Sequence, residues 1–268
     1  MDRKHVLLFG GTGGIGVNLL SLLIQGGYFV TLAVRNISKA VALVKQYSAD
    51  QQNLIELLQV DLEDEQSLKN FLLRFQSEHL EMVVFASGVR ANSSSSNLNI
   101  DFTVNYVAPV EVGINLLERF PRLRVVNVTS SAAFRFKLES PKSLFIQSSS
   151  SFGGNYAKSK LALVLASGCL SRMYPDSQVV SVDPGSNRTQ MTVGHDSPLI
   201  LRVAARSFFS NPNVGAKRIM TVILNNDVPS GSHVNGRGKL RDLKRYDILS
   251  KYVQAEIFKG YPYMPVHF

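Results

Sequence analysis

The chain has 268 residues, of which 45% are hydrophobic and 18% charged; this excludes a disordered or fibrous protein and suits one large α/β domain over residues 1–268. Its single cysteine, Cys169, excludes an internal disulfide and a multi-cysteine metal centre, so we expect no metal site and a reducing, cytoplasmic environment. The 29 basic residues outnumber the 20 acidic ones, but no nucleic-acid motif accompanies them, and no apolar run is long enough for a membrane anchor.

Short apolar runs alternate with helical patterns along the chain, which is typical of βαβ units and a parallel sheet. The predicted strands are His5–Gly10, Phe29–Arg35, Ile55–Asp61, Met82–Ser87, Arg124–Ser130, Gln178–Asp183 and Ser232–Asn235. The predicted helices span about 14–26, 37–48, 64–79, 98–119, 155–174, 212–226 and 240–257. The sequence therefore predicts a doubly wound, Rossmann-type α/β fold: a parallel sheet of about seven strands with helices on both faces.

Glycines are concentrated between the first predicted strand and the first predicted helix. The segment reads Phe9-Gly10-Gly11-Thr12-Gly13-Gly14-Ile15-Gly16. Glycines there permit a tight turn, close approach of the backbone to a pyrophosphate, and close packing of helix on strand. The helix N-terminus adds free N–H groups and the positive end of its dipole. We therefore expect Gly10 to Gly16 to bind a dinucleotide; the spacing fits both Gly-x-x-x-Gly-x-Gly and Gly-x-x-Gly-x-x-Gly.

The end of the second predicted strand bears on the choice between NAD and NADP. An NAD site usually places Asp or Glu there for the ribose 2′-hydroxyl, yet residues 3–49 include no acidic side chain. The strand instead ends in Arg35 and Asn36, and a guanidinium suits the oxygens of a 2′-phosphate. We expect NADP(H), with both residues in its site. Asp61, followed by Leu62, could approach the adenine amino group or merely cap the next helix.

One Tyr-x-x-x-Lys pair occurs in the chain, Tyr156 and Lys160, near the start of a predicted helix. Residues i and i+4 share one helix face, and a nearby ammonium lowers a phenol pKa from about 10 towards neutrality, which suits a general acid/base. The pair alone is weak evidence. Its position strengthens it, because a strand ending Thr129-Ser130-Ser131 precedes it and one ending Asp183-Pro184-Gly185 follows it.

Together these residues resemble the short-chain dehydrogenase/reductase superfamily over nearly the whole chain. In chain order, the shared landmarks are the glycine segment, Asp61-Leu62, Ala86-Ser87-Gly88, Asn105, Thr129-Ser130, Tyr156 to Lys160, Pro184-Gly185 and Thr189. The Tyr156 helix and the stretch from Gly215 to Gly236 are most similar to retinol-dehydrogenase-type, NADP-preferring reductases. The resemblance implies an oxidoreductase that interconverts a carbonyl and an alcohol, with the nicotinamide carrying the hydride.

The resemblance also implies a role for each residue. Tyr156 would protonate the carbonyl oxygen in reduction or deprotonate the alcohol in oxidation. Lys160 would lower the phenol pKa and hold the nicotinamide ribose, Ser130 would hydrogen-bond the substrate oxygen, and Asn105 would hold a water in the proton relay. The remaining members of the cofactor site would be Ala86-Ser87-Gly88, Pro184-Gly185 and Thr189.

The chain departs from the family pattern in three places. Phe9 stands where the family usually has threonine, and Phe85-Ala86-Ser87-Gly88 replaces Asn-Asn-Ala-Gly, so the contacts that stabilise the central sheet must differ. Ser130 and Tyr156 are 26 residues apart, about twice the usual family spacing, and the insertion includes the serine run Ser148–Ser151. Ser131 is therefore the alternative to Ser130.

A substrate lid is expected at about 186–212, and its apolar residues predict a mostly apolar ketone, aldehyde or alcohol. They are Met191, Val193, Leu199, Ile200, Leu201, Phe208 and Phe209. Two other functions stay open: a non-catalytic NADP-sensing protein, and an extended-branch epimerase or dehydratase. The complete set of four catalytic positions argues against the first, and the 83 residues after Gly185 are too few for the second. The expected partner is a small molecule rather than nucleic acid; a homo-oligomer is a further hypothesis.

Overall fold

The computed structural model describes residues 3–90, 100–135, 138, 140–146, 154–194, 202–203, 205, 207 and 209–259. The strands within these residues are β1 (His5–Phe9), β2 (Phe29–Val34), β3 (Ile55–Gln59), β4 (Met82–Phe85), β5 (Arg124–Val128), β6 (Gln178–Val182) and β7 (His233–Val234). They form one sheet in the order β3-β2-β1-β4-β5-β6-β7, and every neighbouring pair is parallel. The predicted seven-stranded Rossmann-type fold is confirmed.

Helices cover both faces of the sheet. Among the described residues the helices include α1 (Gly14–Gln25), α2 (Ile37–Val44), α3 (Ala49–Gln52), α4 (Glu65–Arg74), α5 (Ile100–Phe102), α6 (Ala108–Arg119), α7 (Gly154–Met173), α8 (Gln190–Val193), α9 (Pro212–Leu224) and α10 (Asp247–Phe258). The helices α1, α2 and α9 pack on one face, α4 and α6 on the other, and α10 packs against α7. None of the helices described here combines the length and the apolar character that crossing a lipid bilayer requires.

The central strand β1 shows why an apolar run becomes a buried strand. Val6 and Leu8 pack towards α1 and α9, whereas Leu7 and Phe9 pack towards α4 and α6. All four side chains are almost completely buried. A parallel strand that is covered on both faces must be apolar at every position, so the run is continuous rather than alternating.

The strand order reverses between β1 and β4, and this reversal creates the site. At such a point the loops that follow the two strands diverge and leave a crevice at their carboxyl ends. The glycine segment follows β1, and Ala86-Ser87-Gly88 follows β4. The two loops touch at Gly10, where φ is +78° and a Cβ would collide with the backbone nitrogen of Ser87. The first glycine is thus required both by its backbone conformation and by the proximity of the neighbouring loop.

Some helix boundaries differ from the prediction for identifiable reasons. The helix predicted over 98–119 is interrupted by a π-helical turn at Thr103–Val107. The helix predicted over 64–79 ends at Arg74, because Phe75 adopts an extended conformation and buries its ring. The pattern predicted over 37–48 ends at Val44, and Ser48 starts the separate short helix α3 with a capping box. Capping interactions of this kind decide helix ends more than apolar periodicity does.

An aromatic stack occupies the centre of the sheet, at the two strand positions where the resemblance leads us to expect polar residues. Phe9 and Phe85 are register partners on β1 and β4, and their ring centroids are 4.9 Å apart with an interplanar angle of 16°. Phe71 of α4 meets the Phe9 ring edge-on at 5.4 Å. At these two positions the centre of the sheet is therefore stabilised by apolar packing.

Removing this stack should destabilise the protein. Phe85→Ala should lower the free energy of unfolding by about 3–5 kcal/mol, because it leaves a cavity in a closely packed region, and about 0.5–1.5 kcal/mol of that loss should reflect the ring pair itself. The measurement is equilibrium urea unfolding. Phe258→Ala is the control, since that ring is 65% exposed, and its effect should stay within about 0.5 kcal/mol. Equal effects of the two substitutions would contradict the prediction.

Candidate active site

A cavity of about 330 Å³ opens at the carboxyl edge of the sheet. Its walls come from segments that are distant in sequence: the glycine turn, the loops after β4, β5 and β6, and the start of α7. The predicted site residues along it are Gly13, Gly14, Ile15, Gly16, Ala86, Ser87, Gly88, Ser130, Tyr156, Lys160, Pro184, Gly185 and Thr189. The volume is in the range of small-molecule sites, which is roughly 300–1,000 Å³.

The glycine segment forms a turn at the cavity whose chemistry can be compared with the needs of a pyrophosphate. Gly14, Ile15 and Gly16 begin α1 and line the cavity, and the N–H groups in the first turn of a helix have no partners within it. A Cβ on Gly14 would lie 3.2 Å from Thr189 Cγ2, and one on Gly16 would collide with the carbonyl oxygen of Gly10. Backbone N–H groups and space without side chains are what a phosphate-binding helix N-terminus needs. The residues present therefore fit a dinucleotide.

Three residues of the glycine segment belong to the turn but not to the cavity wall. Gly10, Gly11 and Thr12 are not among its lining residues. The carbonyl of Gly10 accepts a hydrogen bond from Gly13 N at 3.0 Å, which closes the turn. A Cβ on Gly11 would collide with the Leu32 side chain of β2. These residues shape the turn and let it pack on the sheet.

Lys160 is 3% exposed and forms hydrogen bonds to the ends of two strands. Its Nζ donates hydrogen bonds to Val128 O at 3.0 Å and to Ser87 O at 3.4 Å. Both acceptors are uncharged carbonyls. Burial lowers the pKa of Lys160 to about 8, and the Asp101 carboxylate opposes this shift.

Tyr156 is also buried, with 7% of its surface exposed. Burial raises the pKa of its phenol; the Arg90 guanidinium and a hydrogen bond with Ser130 lower it, and Asp183 and Asp101 raise it. The sequence-based expectation of a phenol pKa lowered towards neutrality is therefore corrected. Loss of hydration on burial outweighs the charge of Arg90 and the hydrogen bond of Ser130, and the pKa lies above its ordinary value.

Ser130, rather than Ser131, is the serine that meets the phenol. The hydroxyl of Ser130 interacts with Tyr156 and also accepts a hydrogen bond from Ala132 N at 3.2 Å. Ser131 instead accepts a hydrogen bond from Arg135 Nη2 at 3.3 Å. The long spacing between Ser130 and Tyr156 has therefore not separated their side chains. The serine run 148–151 lies outside the described residues.

Asn105 is fully buried and does not line the cavity. Its Oδ1 accepts a hydrogen bond from Val89 N at 2.9 Å, and its Nδ2 donates to Val89 O at 2.8 Å and to Ser159 Oγ at 3.1 Å. The side chain thus joins the π-helical turn to the β4 loop and to α7. Its proposed role in holding a water stays a prediction.

The residues predicted for the adenosine end of the cofactor do not line the cavity; they are Arg35, Asn36, Asp61 and Leu62. Arg35 is 64% exposed, and its Nη1 contacts Glu63 Oε1 at 2.6 Å. Asn36 caps α2 by accepting a hydrogen bond from Lys39 N at 2.8 Å. Sequence reasoning missed Glu63, although β2 and β3 are adjacent and an acidic residue two positions after Asp61 could have been found from that adjacency.

Asp61 does not cap the helix that follows it. Asp64 does so, by accepting hydrogen bonds from Gln66 N at 2.8 Å and Ser67 N at 3.2 Å. Asp61 Oδ1 accepts from Glu63 N at 3.0 Å and holds the loop. The capping alternative is therefore excluded, and contact between Asp61 and the adenine stays a prediction.

The loop after β6 is anchored to α9 by two side chains that sequence reasoning missed. Asn187 Nδ2 donates to Pro184 O at 3.0 Å and to Gly185 O at 2.7 Å, and its Oδ1 accepts from Gly215 N at 3.1 Å. Arg218 Nη1 donates to Pro184 O at 2.9 Å. Gly185 has a φ of +79°, so the turn requires a residue without a side chain.

The lid is described only in part. Met191 and Phe209 line the cavity, and Val193 ends α8 without lining it. The other apolar residues predicted for the lid, Leu199, Ile200, Leu201 and Phe208, lie outside the described residues.

Comparison with known protein families gives a match over most of the chain. Residues 4–198 match the family described as short chain dehydrogenase. Human retinol dehydrogenase 11 is 28% identical over 249 residues, which are 87% of this chain and 77% of that protein. Human polyprenol dehydrogenase is 28% identical over 236 residues, which are 80% of this chain and 70% of that protein.

Solved structures of similar fold cover nearly the whole chain. A short-chain dehydrogenase from Sphingobium yanoikuyae in complex with NADPH has a TM-score of 0.71 at 16% identity and covers 98% of each chain. Salutaridine reductase from Papaver somniferum has a TM-score of 0.65 at 20% identity, covering 86% of this chain and 99% of that one. At these identities the structures support the fold.

The buried Lys160 should give the protein a measurable pH dependence of stability. Its pKa falls from 10.5 to about 8 on folding, so the unfolded chain binds more protons between these values and stability rises with pH across them. The free energy of unfolding of the parent, minus that of Lys160→Met, should therefore rise between pH 8 and 10.5 with a limiting slope of about 1.4 kcal/mol per pH unit.

Urea unfolding of both proteins at several pH values measures this difference, and subtracting the variant cancels the other titrating groups. The difference should be constant below the window, where both states bind the proton, and above it, where neither does. A difference that stays flat from neutral pH to pH 10.5 would contradict the prediction.

Proposed function

This chain belongs to the short-chain dehydrogenase/reductase family, and we propose that it is an NADP(H)-dependent oxidoreductase that interconverts a carbonyl and an alcohol on a mostly apolar small molecule. The observation that carries the proposal is the convergence of Ser130, Tyr156 and Lys160 on one cavity that also contains the glycine cradle. A phosphate cradle beside a buried acid/base group is the arrangement that hydride transfer from a dinucleotide requires. The cytoplasm stays the expected compartment, on the evidence of cysteine usage.

A reduced nicotinamide, when bound, would supply the hydride to the carbonyl carbon. Tyr156 would donate its phenolic proton to the carbonyl oxygen. As the hydride adds to the carbon, the π electron pair of the C=O bond would move to the oxygen and form the new O–H bond with that proton. Ser130 would donate a hydrogen bond to the same oxygen. Burial raises the phenol pKa, which keeps the phenol protonated at neutral pH and suits a proton donor. In oxidation the same groups would act in reverse, with tyrosinate as the base.

Lys160 would act at the base of the cavity. An ammonium group has three N–H donors, and two of the donors of Lys160 are used by Val128 O and Ser87 O. The third would hold the nicotinamide ribose. Because its two carbonyl contacts come from the ends of β5 and β4, the ammonium would position the ribose relative to both strand ends.

Arg35 supports the preference for NADP(H). The guanidinium follows β2 and is mostly exposed, so it is accessible to a 2′-phosphate. Its partner Glu63 would compete with that phosphate. A solvent-exposed ion pair contributes only about 0–1 kcal/mol, so a phosphate, which carries more charge and accepts paired hydrogen bonds, would displace the carboxylate.

The cavity wall supports an apolar substrate. Val128, Ala132, Met191 and Phe209 line it together with the catalytic side chains. The two human relatives are named for retinol and polyprenol. The same proposal includes a substrate lid at about 186–212 and a single domain over residues 1–268.

Cofactor preference can be tested by direct binding. NADPH should bind more tightly than NADH to the parent, and Arg35→Ala should remove most of the difference. Glu63→Gln should tighten NADPH binding roughly two- to fivefold, because the competing carboxylate is gone, and should leave NADH binding unchanged. Fluorescence titration of the reduced nicotinamide measures all the dissociation constants.

Glu65→Gln is the matched control for this experiment. Glu65 is exposed and pairs with Lys69 at 2.6 Å, whereas Arg35 pairs with Glu63, so its removal should leave both dissociation constants at the parent value. Equal affinities of the parent for NADPH and NADH would refute the proposed preference.

The catalytic roles can be tested with three variants and a panel of carbonyl compounds. Tyr156→Phe should abolish NADPH-dependent reduction and leave NADPH binding nearly unchanged, because the ring still packs and only the acid is lost. Lys160→Ala should weaken both. Ser130→Ala should lower turnover by on the order of a hundredfold, the effect of losing one oriented donor, whereas Ser131→Ala should have a much smaller effect.

Two outcomes would count against the proposal. Tyr156→Phe that reduces the substrate at the parent rate would refute the role of the phenol. A parent protein that binds NADPH tightly and turns over no compound of the panel would favour the sensing function instead.

A further inference from the structure

Arg90 lies beside the proposed acid/base group, and no sequence pattern points to it. It follows β4 two residues after Gly88, is half-buried, and lines the cavity. Its guanidinium carbon lies 4.8 Å from the centroid of the Tyr156 ring, over the ring face. This is the geometry of a cation–π contact, in which the electron-rich face of the ring attracts the cation.

The charge of Arg90 differs in kind from that of Lys160. Burial lowers the pKa of Lys160 to about 8, so this ammonium loses its proton as the pH rises through that value. A guanidinium does not deprotonate in proteins. At moderately alkaline pH, Arg90 therefore keeps its positive charge at the phenol while the charge of Lys160 is being lost.

The other groups around the phenol have opposing effects. Asp183, directly after β6, and Asp101, in α5, each raise the pKa of Tyr156. The hydroxyl of Ser130 lowers it through a hydrogen bond, and among the groups that lower it Arg90 has the largest effect. Lys160 shares the helix α7 with Tyr156. Arg90 thus counteracts two carboxylates and the loss of hydration.

We propose that Arg90 is a positioning residue for Tyr156: it holds the phenol ring against its guanidinium and supplies a charge, constant over the working pH range, that stabilises tyrosinate. The effect on turnover rests on the proposed function, whereas the effect on ionisation of the phenol does not. In oxidation the alcohol O–H bond breaks and the phenol O–H bond forms, so the base must first be available as tyrosinate. Arg90 would increase that population.

The first experiment measures ionisation of Tyr156 without any substrate. The chain has no tryptophan, so the near-ultraviolet absorbance of tyrosinate can be followed without indole absorbance. Subtracting the titration of Tyr156→Phe isolates this one phenol. The fraction ionised at each alkaline pH, within the range where circular dichroism stays native, should fall in Arg90→Met and be partly restored in Arg90→Lys.

Arg135→Met is the matched control, because Arg135 lines the same cavity but does not lie over the Tyr156 ring. The ionised fraction of Tyr156 in this variant should equal that of the parent. An ionised fraction in Arg90→Met that equals or exceeds the parent value would overturn the proposal.

The second experiment follows the pH dependence of alcohol oxidation with NADP⁺, using the best substrate of the carbonyl panel in its reduced form. Arg90→Met should lower kcat near neutral pH roughly two- to thirtyfold and move the alkaline rise of kcat to higher pH. An increase in KM with an unchanged kcat profile would make Arg90 a substrate-binding residue and overturn the proposal. A parent without turnover would contradict the proposed function, while the titration would still decide the role of Arg90.

Discussion

The close contact between the loops that follow β1 and β4 is the constraint on which the rest of the structure depends. A parallel sheet with helices on both faces opens only where its strand order reverses. In this chain the two loops at that point meet backbone to backbone, with Gly10 against Ser87. Because the contact leaves no room for a side chain, the start of α1 comes close to the β4 loop. The cavity, its glycine-lined wall and the acceptor for Lys160 on Ser87 all follow from this approach.

The same geometry places two ionisable side chains, those of Tyr156 and Lys160, where they have little contact with water. Tyr156 and Lys160 enter from α7 and are almost fully buried. Burial moves both pKa values towards the neutral forms, upward for the phenol and downward for the ammonium. Burial thus disfavours the charged form of each group, and tyrosinate in particular needs stabilising contacts from elsewhere. Arg90, through its charge, and Ser130, through the hydrogen bond of its hydroxyl, both lower the pKa of the phenol, so the electrostatics of the site extend beyond the residues of the motif.

Sequence patterns predicted what depends on local chemistry or on burial of whole strands. The strands were found because a covered parallel strand must be apolar throughout, as in Val6 to Phe9, and the glycine segment was found because few other residues fit its turn. The predicted direction of the shift in the phenol pKa was wrong, because the burial of Tyr156 arises from tertiary packing and is not visible in the local sequence. Arg90 and Glu63 were missed because their partners, Tyr156 and Arg35, are brought to them by loop conformation and strand adjacency. The ends of α2 and α4 depend on the capping box of Ser48 and on the extended conformation of Phe75, which periodicity does not encode.

The stack of Phe9 on Phe85 has a consequence for how this chain can diverge. Hydrogen-bonded polar residues restrict each position to a few side chains of matched geometry, whereas an apolar contact requires mainly that the combined volume be conserved. Positions 9 and 85 are therefore expected to covary among relatives of this chain. A large apolar residue at one should accompany a large apolar residue at the other, and a return to polar residues should occur at both together, because a single polar substitution would leave a buried group without a partner.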